Sequence, residues 1–150
     1  MSCKISSINN CPVKSLSFQS INSCDIKKDL GMKNDRIFAF SRGVDLEKAK
    51  SMEKNPKERK LNFLLTLKNS PVLNKYNFTY DNNSLILTHN DKRIISISAD
   101  IPEDRSLLSD KLTELESSLP KPIYLLRNNE FPFFDTSHSN NIFNSMSLIN

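Results

Sequence analysis

The stretch Tyr76-Asn77-Phe78-Thr79-Tyr80-Asp81-Asn82-Asn83-Ser84-Leu85-Ile86-Leu87-Thr88-His89-Asn90-Asp91-Lys92-Arg93-Ile94-Ile95-Ser96-Ile97 decides the fold class. Tyr76, Phe78 and Tyr80 alternate with polar residues, which is the period of a half-buried strand. Residues 81–84 and 89–91 are rich in Asn and Asp, which tolerate the left-handed backbone of tight turns. Leu85-Ile86-Leu87-Thr88 and Arg93-Ile94-Ile95-Ser96-Ile97 supply two returning strands. Three strands on tight turns make an antiparallel meander.

Towards the C-terminus, Ile101-Pro102-Glu103-Asp104 opens a helix with acidic residues in its first turn. Leu107, Leu108, Leu112, Leu115 and Leu119 recur at helical spacing, predicting a stripe packed on the sheet until Pro120 ends it. Residues 122–127 read as a further strand. Towards the N-terminus, residues 4–8 read as a first strand interrupted by Cys11-Pro12, because Pro cannot donate to a ladder. Residues 13–17 are a bulged continuation or a loop, and Phe18, Ile21, Cys24 and Ile26 suggest a second extended segment. Leu30-Gly31-Met32 is a turn, and Arg36-Ile37-Phe38-Ala39-Phe40 has strong strand character. Residues 45–55 predict a turn or two of helix, cut off at Pro56. Residues 61–67 favour a short helix with Leu61, Leu64 and Leu65 on one face. The fold class is therefore mainly β: a small antiparallel β-barrel or meander with one or two short packed helices.

Length and composition bound the rest. A chain of 150 residues, 37% apolar and 25% charged, suits one folded domain with its own core. Residues 1–130 form that domain, and residues 131–150, rich in Ser, Asn and aromatics, read as a connecting segment expected to be loosely held. No apolar run approaches the roughly 20 residues of a membrane span, and the first residues show no leader pattern, so a cytoplasmic location is expected. Cys3, Cys11 and Cys24 form no CxxC pair, and His89 and His138 lie far apart, which argues against a Cys/His metal site. The cysteines read as reduced packing residues. The net charge of +4 permits a polyanion partner, but the dense run at 42–60 mixes both signs and reads as a solvated face. Only Gly31 and Gly43 are glycines, so they are expected where Asn would not serve.

Two short stretches hold the candidate chemistry: Cys11-Pro12-Val13-Lys14-Ser15-Leu16 and Gly31-Met32-Lys33-Asn34-Asp35-Arg36. Lys14 offers a point charge, Ser15 a hydroxyl and Arg36 a planar fork, a set compatible with an oxyanion. The competing reading is a plain loop and a surface ion pair of small value. Asp35 either orients Arg36 or caps a turn. Asp135, among Phe131, Phe133 and Phe134, reads as an Asx turn, and His138 as a solvated side chain. No nucleophile with a partnered base, no zinc-protease motif and no phosphate-cradling Gly-rich loop is present.

Ile8, then Pro12-Val13-Lys14-Ser15, then Gly31 with Asp35-Arg36 ahead of an apolar strand, resemble the N-terminal β-barrel domain of MOSC proteins, named for the C-terminal part of molybdenum-cofactor sulfurase. The Leu-rich segment at 61–67, the meander, the helix, Phe133-Phe134-Asp135 and Ser147-Leu148-Ile149-Asn150 follow in the family's order. Two departures stand out: position 11 is Cys where an aromatic is common, and the chain stops at Asn150, where a MOSC domain would begin. The family's reactive Cys belongs to that later part, and Cys3, Cys11 and Cys24 do not match it. The resemblance implies a module that binds the molybdenum cofactor (molybdopterin) through Lys14, Ser15 and Arg36. It also implies packing on a MOSC domain, in cis or in trans, and work with redox partner proteins. The family includes molybdenum-dependent oxidoreductases and sulfur carriers, and a truncated or split chain of this length is expected to be inactive alone.

Two other classes are weighed beside it. A basic barrel could bind nucleic acid with Phe38, Phe40, Tyr76, Phe78 and Tyr80 as stacking platforms. Burial of those rings would sink that idea. A general interaction module would instead expose an apolar patch at Phe133, Phe134, Ile142, Phe143 and Leu148. The cofactor reading requires Lys14, Ser15 and Arg36 to converge on one rim and face a cleft.

Overall fold

Asn82 and Asn83, and then Asn90 and Asp91, all take positive φ (45°, 62°, 50° and 60°). Two adjacent left-handed residues are what a two-residue hairpin needs to match the strand twist. The result is the meander: β6 (Tyr76–Asp81) pairs with β7 (Ser84–His89), which pairs with β8 (Lys92–Ser98), antiparallel throughout. This computed structural model describes residues 4–136 and 143–144; for residues 135, 136, 143 and 144 it describes backbone only.

Ahead of the meander come β1 (Ile8–Asn10), β2 (Gln19–Ile21), β3 (Ile26–Lys27), β4 (Gly31–Met32), β5 (Phe38–Phe40) and the helix α1 (Leu46–Lys54). After it come α2 (Pro102–Leu115), β9 (Leu125–Arg127), β10 (Asp135–Thr136) and β11 (Phe143–Asn144). Asp45 caps α1 by accepting from the Lys48 N–H at 2.7 Å, and Pro56 follows its end. Mainly antiparallel β-structure with two helices is the class the sequence predicts. Among the described residues the sheets are one three-stranded unit and four two-stranded ribbons, so strand pairing does not close a barrel.

The ribbon β5–β9 organises the packing. Phe38 faces Arg127, Ala39 faces Leu126 and Phe40 faces Leu125 across it. Phe38, Phe40 and Leu125 enter the main core with Phe78, Leu85, Leu87, Leu108 and Leu112. Ala39 and Leu126 enter a second cluster with Met52, Leu64 and Phe133. Both faces of β5 are buried, which is why this strand is apolar at every position.

Three expectations are corrected. Residues 61–67 are not one helix: Leu61–Phe63 is a single 3-10 turn, and Leu64 then bridges Ser41. The α2 stripe is narrower than its leucines: Leu107 and Leu115 are exposed, while Leu108 and Leu112 are joined on the buried face by Ser109 and Glu116. The start of the connecting segment is firmly held rather than loose. Phe133 and Phe134 are buried, and Arg59 donates to the Phe131 and Pro132 carbonyls at 2.6 and 3.1 Å. The calls on Asp135, on His138, on Ile142, Phe143 and Leu148, and on residues 147–150 lie outside the described side chains.

Candidate functional site

The two candidate stretches lie side by side because their backbones are laced together. Val13 and Phe38 form a parallel bridge, with the Phe38 N–H donating to the Pro12 carbonyl at 3.1 Å and the Lys14 N–H to the Phe38 carbonyl at 2.8 Å. One turn earlier, the Arg36 N–H donates to the Cys11 carbonyl at 2.7 Å. Arg36 and Ser15 both sit at positive φ, 53° and 57°. Such angles are uncommon for these residue types and are held by the surrounding bonds.

Asp35 supplies the remaining tie, and it does both things the sequence left open. Its Oδ1 accepts from the Cys11 N–H at 2.8 Å, closing the loop, and its Oδ2 accepts from Arg36 Nη1 at 3.2 Å, orienting the guanidinium. Asp35 is 3% exposed, and burial raises its carboxyl above the ordinary value against the opposing pull of the Cys11 N–H and Arg36. Burial likewise raises the Cys11 thiol, which donates to the Val13 carbonyl at 2.9 Å. A protonated, hydrogen-bonded thiol is a packing group, as the sequence suggests.

The three expected site residues are placed differently from one another. Arg36 keeps 26% of its side chain exposed and lies 5.5 Å from the centre of the Phe134 ring. Ser15 is half-buried, and its carbonyl accepts from the Leu67 N–H at 3.4 Å. Lys14 is 3% exposed and engaged within the chain, so it is an interior residue and not a rim residue. Its backbone pairs with β5 next to Val13, which enters the main core. Two of the cavities among the described residues lie near the Asp35-Arg36 segment. One, of about 180 Å³, is bordered by Lys27, Lys33, Asn34, Ile37 and Pro132; the other, of about 250 Å³, by Leu30, Phe131, Pro132 and Phe134. Neither is lined by Lys14, Ser15 or Arg36.

Arg59 belongs to the same region and was hidden in the mixed charge run read as solvated. It donates to the Met52 and Glu53 carbonyls at 2.7 and 2.9 Å as well as to those of Phe131 and Pro132. Its guanidinium lies 4.0 Å from the centre of the Phe133 ring. It thereby joins the end of α1 to the segment that delivers Phe133 N–H to the Arg36 carbonyl at 2.7 Å. Burial lowers its pKa to about 10, which leaves it charged at neutral pH. Nothing in a charge count distinguishes an arginine that caps carbonyls from one in water.

The five aromatics considered as stacking platforms, Phe38, Phe40, Tyr76, Phe78 and Tyr80, are all buried. Phe38 meets Tyr80 edge-on at 5.1 Å and Phe40 meets Phe78 at 5.7 Å, so these rings are core. Phe133 and Phe134 are also buried and do not form an exposed patch. Among the described residues no helix is long and apolar enough to cross a membrane, and no group of three or more His, Cys, Asp or Glu side chains is arranged to hold a metal ion. No family model matches the chain, and neither the curated proteins nor the solved structures provide a match.

Proposed function

We propose that this chain is the N-terminal module of a MOSC-type molybdenum protein, in the cytoplasm, and that it holds the phosphate end of molybdopterin beside a MOSC domain. The observation that carries this reading is the lacing of Pro12-Val13-Lys14-Ser15 to Asp35-Arg36 through the Val13–Phe38 bridge and the Asp35 tie. The donor chemistry fits a phosphate. Arg36 is oriented by a carboxylate yet partly exposed, and an arginine fork matches two phosphate oxygens. Ser15, half-buried on the loop that follows the Val13–Phe38 bridge, adds a neutral donor. Lys14, being buried, contributes through its backbone bond to Phe38 and not as a direct ligand. The cofactor, when bound, supplies the redox or sulfur-transfer chemistry; the chain's residues bind and orient it. Phe133 on the Arg36 carbonyl supports a connection between the site and the segment that leads towards a MOSC partner.

The test uses molybdenum cofactor released from a carrier protein, incubated with the purified chain alone and with a separately expressed MOSC domain. Retained pterin is then oxidised and read by fluorescence after gel filtration. Retention by the pair is expected, with a drop of roughly tenfold in Arg36→Lys, which keeps the charge and loses the fork. Circular dichroism checks that the variant is folded. No retained pterin in either arm, or equal retention by Arg36→Lys, overturns the reading.

A further inference from the structure

The two cavities near the Asp35-Arg36 segment meet. Leu30 and Pro132 border both, so together they form one groove between the β3–β4 hairpin and residues 129–134. Its floor is apolar, with Met32 and Ile37 at one end and Phe131 and Phe134 at the other. Its charges are sorted by end. Lys27 and Lys33 border the cavity of about 180 Å³, which no carboxylate lines among the described residues. Asp29 and Glu130 border the cavity of about 250 Å³, which no Lys or Arg lines among the described residues. None of these four is in an ion pair among the described residues.

Both walls are fixed by hydrogen bonds to their backbone. In the hairpin, Ile26 pairs with Met32 and Lys27 with Gly31, and the Lys33 N–H donates to the Asp25 carbonyl at 2.9 Å. Across the groove, Asn128 Oδ1 accepts from the Glu130 and Phe131 N–H groups at 3.0 and 2.8 Å, while Arg59 holds the Phe131 and Pro132 carbonyls. Phe131 is nonetheless 48% exposed. A ring left half in water by a backbone tied at both its N–H and its carbonyl is a fixed surface feature. It loses little freedom when a partner covers it.

Size and charge select the occupant. Each cavity alone lies below the roughly 300 Å³ at which sites for drug-sized ligands begin, so each suits side chains rather than a whole ligand. Successive side-chain pockets are how peptide-binding grooves read their partners. Residues 137–150 of this chain contain no Lys, Arg, Asp or Glu, so they complement neither charged end. We infer that the groove binds a linear peptide segment of a partner protein in which acidic residues, large apolar residues and basic residues follow one another. The acidic end meets Lys27 and Lys33, the apolar residues cover Leu30 and Phe131, and the basic end meets Asp29 and Glu130. Lys14, Ser15 and Arg36 do not line the groove, which is independent of the phosphate reading.

The experiment titrates the isotopically labelled full chain, at constant ionic strength, with the acetylated and amidated peptide Glu-Glu-Leu-Phe-Lys-Lys. Saturable amide shifts at residues 27–34 and 129–134 are expected. The peptide Glu-Glu-Gly-Gly-Lys-Lys should give none, and Lys-Lys-Leu-Phe-Lys-Lys should bind severalfold more weakly, since only one end matches. Phe131→Ala is expected to weaken binding by roughly tenfold, as loss of an aromatic anchor does. Lys27→Glu with Lys33→Glu, both at exposed positions, should reverse the preference between the first peptide and the all-lysine one. Should that double variant fail to fold, Lys33→Glu alone should narrow the same preference. Absence of saturable shifts, equal affinity for the all-lysine peptide, or a preference unmoved by the charge reversal overturns the inference. Tighter binding of an uncharged peptide of residues 141–150 would assign the groove to the chain's own tail and overturn it as well.

Discussion

Asp35 shows how much one side chain can contribute that a motif does not reveal. The sequence places a carboxylate beside Arg36, and that pairing is legible from adjacency. The second bond, to the Cys11 N–H across 24 residues, is not, because nothing local encodes it. Burial raises the Asp35 carboxyl above its ordinary value of 3.8, more than the Cys11 N–H and Arg36 lower it. The folded chain therefore holds this proton more tightly than the unfolded chain does. Its contribution to stability is full below pH 3.8 and is lost as the pH rises through the folded value. Wild type and Asp35→Asn should be compared by urea unfolding from about pH 3 to about pH 7. The stability of wild type relative to Asp35→Asn is expected to fall as the pH rises. A relative stability that grows with pH would mean that the Arg36 pair outweighs burial.

At the scale of elements, the meander was legible because its information is local. Alternation set the strand faces, and paired Asn and Asp residues set the turns. Helix α2 was legible as a helix but not in its orientation. Leucine spacing predicted a wide apolar stripe, yet Leu107 is 56% exposed while Ser109 is 3% exposed. The reason is hydrogen bonding between elements. Ser109 Oγ donates to the Arg105 carbonyl at 3.0 Å and accepts from the Leu125 N–H at 2.9 Å, so a polar residue completes the start of β9. Ser17 and Gln19 do the same for β6, where their side chains take the place of a neighbouring strand on Phe78 and Tyr80. Ser109→Ala leaves the Leu125 N–H buried without an acceptor, and the expected cost is about 1–3 kcal/mol in chemical denaturation. Faster amide exchange at Leu125 should accompany it. A loss below roughly 0.5 kcal/mol would mean that another acceptor replaces the hydroxyl.

At the scale of the molecule, the order of elements could be read, but the pairing of β5 with β9 could not, since it joins strands separated by the whole meander and α2. That pairing sets cooperativity. The main core and the second cluster meet at one ribbon, with Phe38, Phe40 and Leu125 on one side and Ala39 and Leu126 on the other. Opening either cluster removes one face of packing from the same two strands. The chain should therefore unfold as a single unit even though its sheets are small and separate. Met52 tests this, being fully buried in the second cluster on α1, away from the meander in sequence. Met52→Ala is expected to cost about 2–5 kcal/mol. In a cooperative molecule, global-opening amide exchange should accelerate by the same factor at Leu85 and Leu87 in β7 as at Ala39 in β5. If β7 keeps its protection while β5 and α1 lose theirs, the meander is an independent folding unit and the ribbon does not couple the two cores.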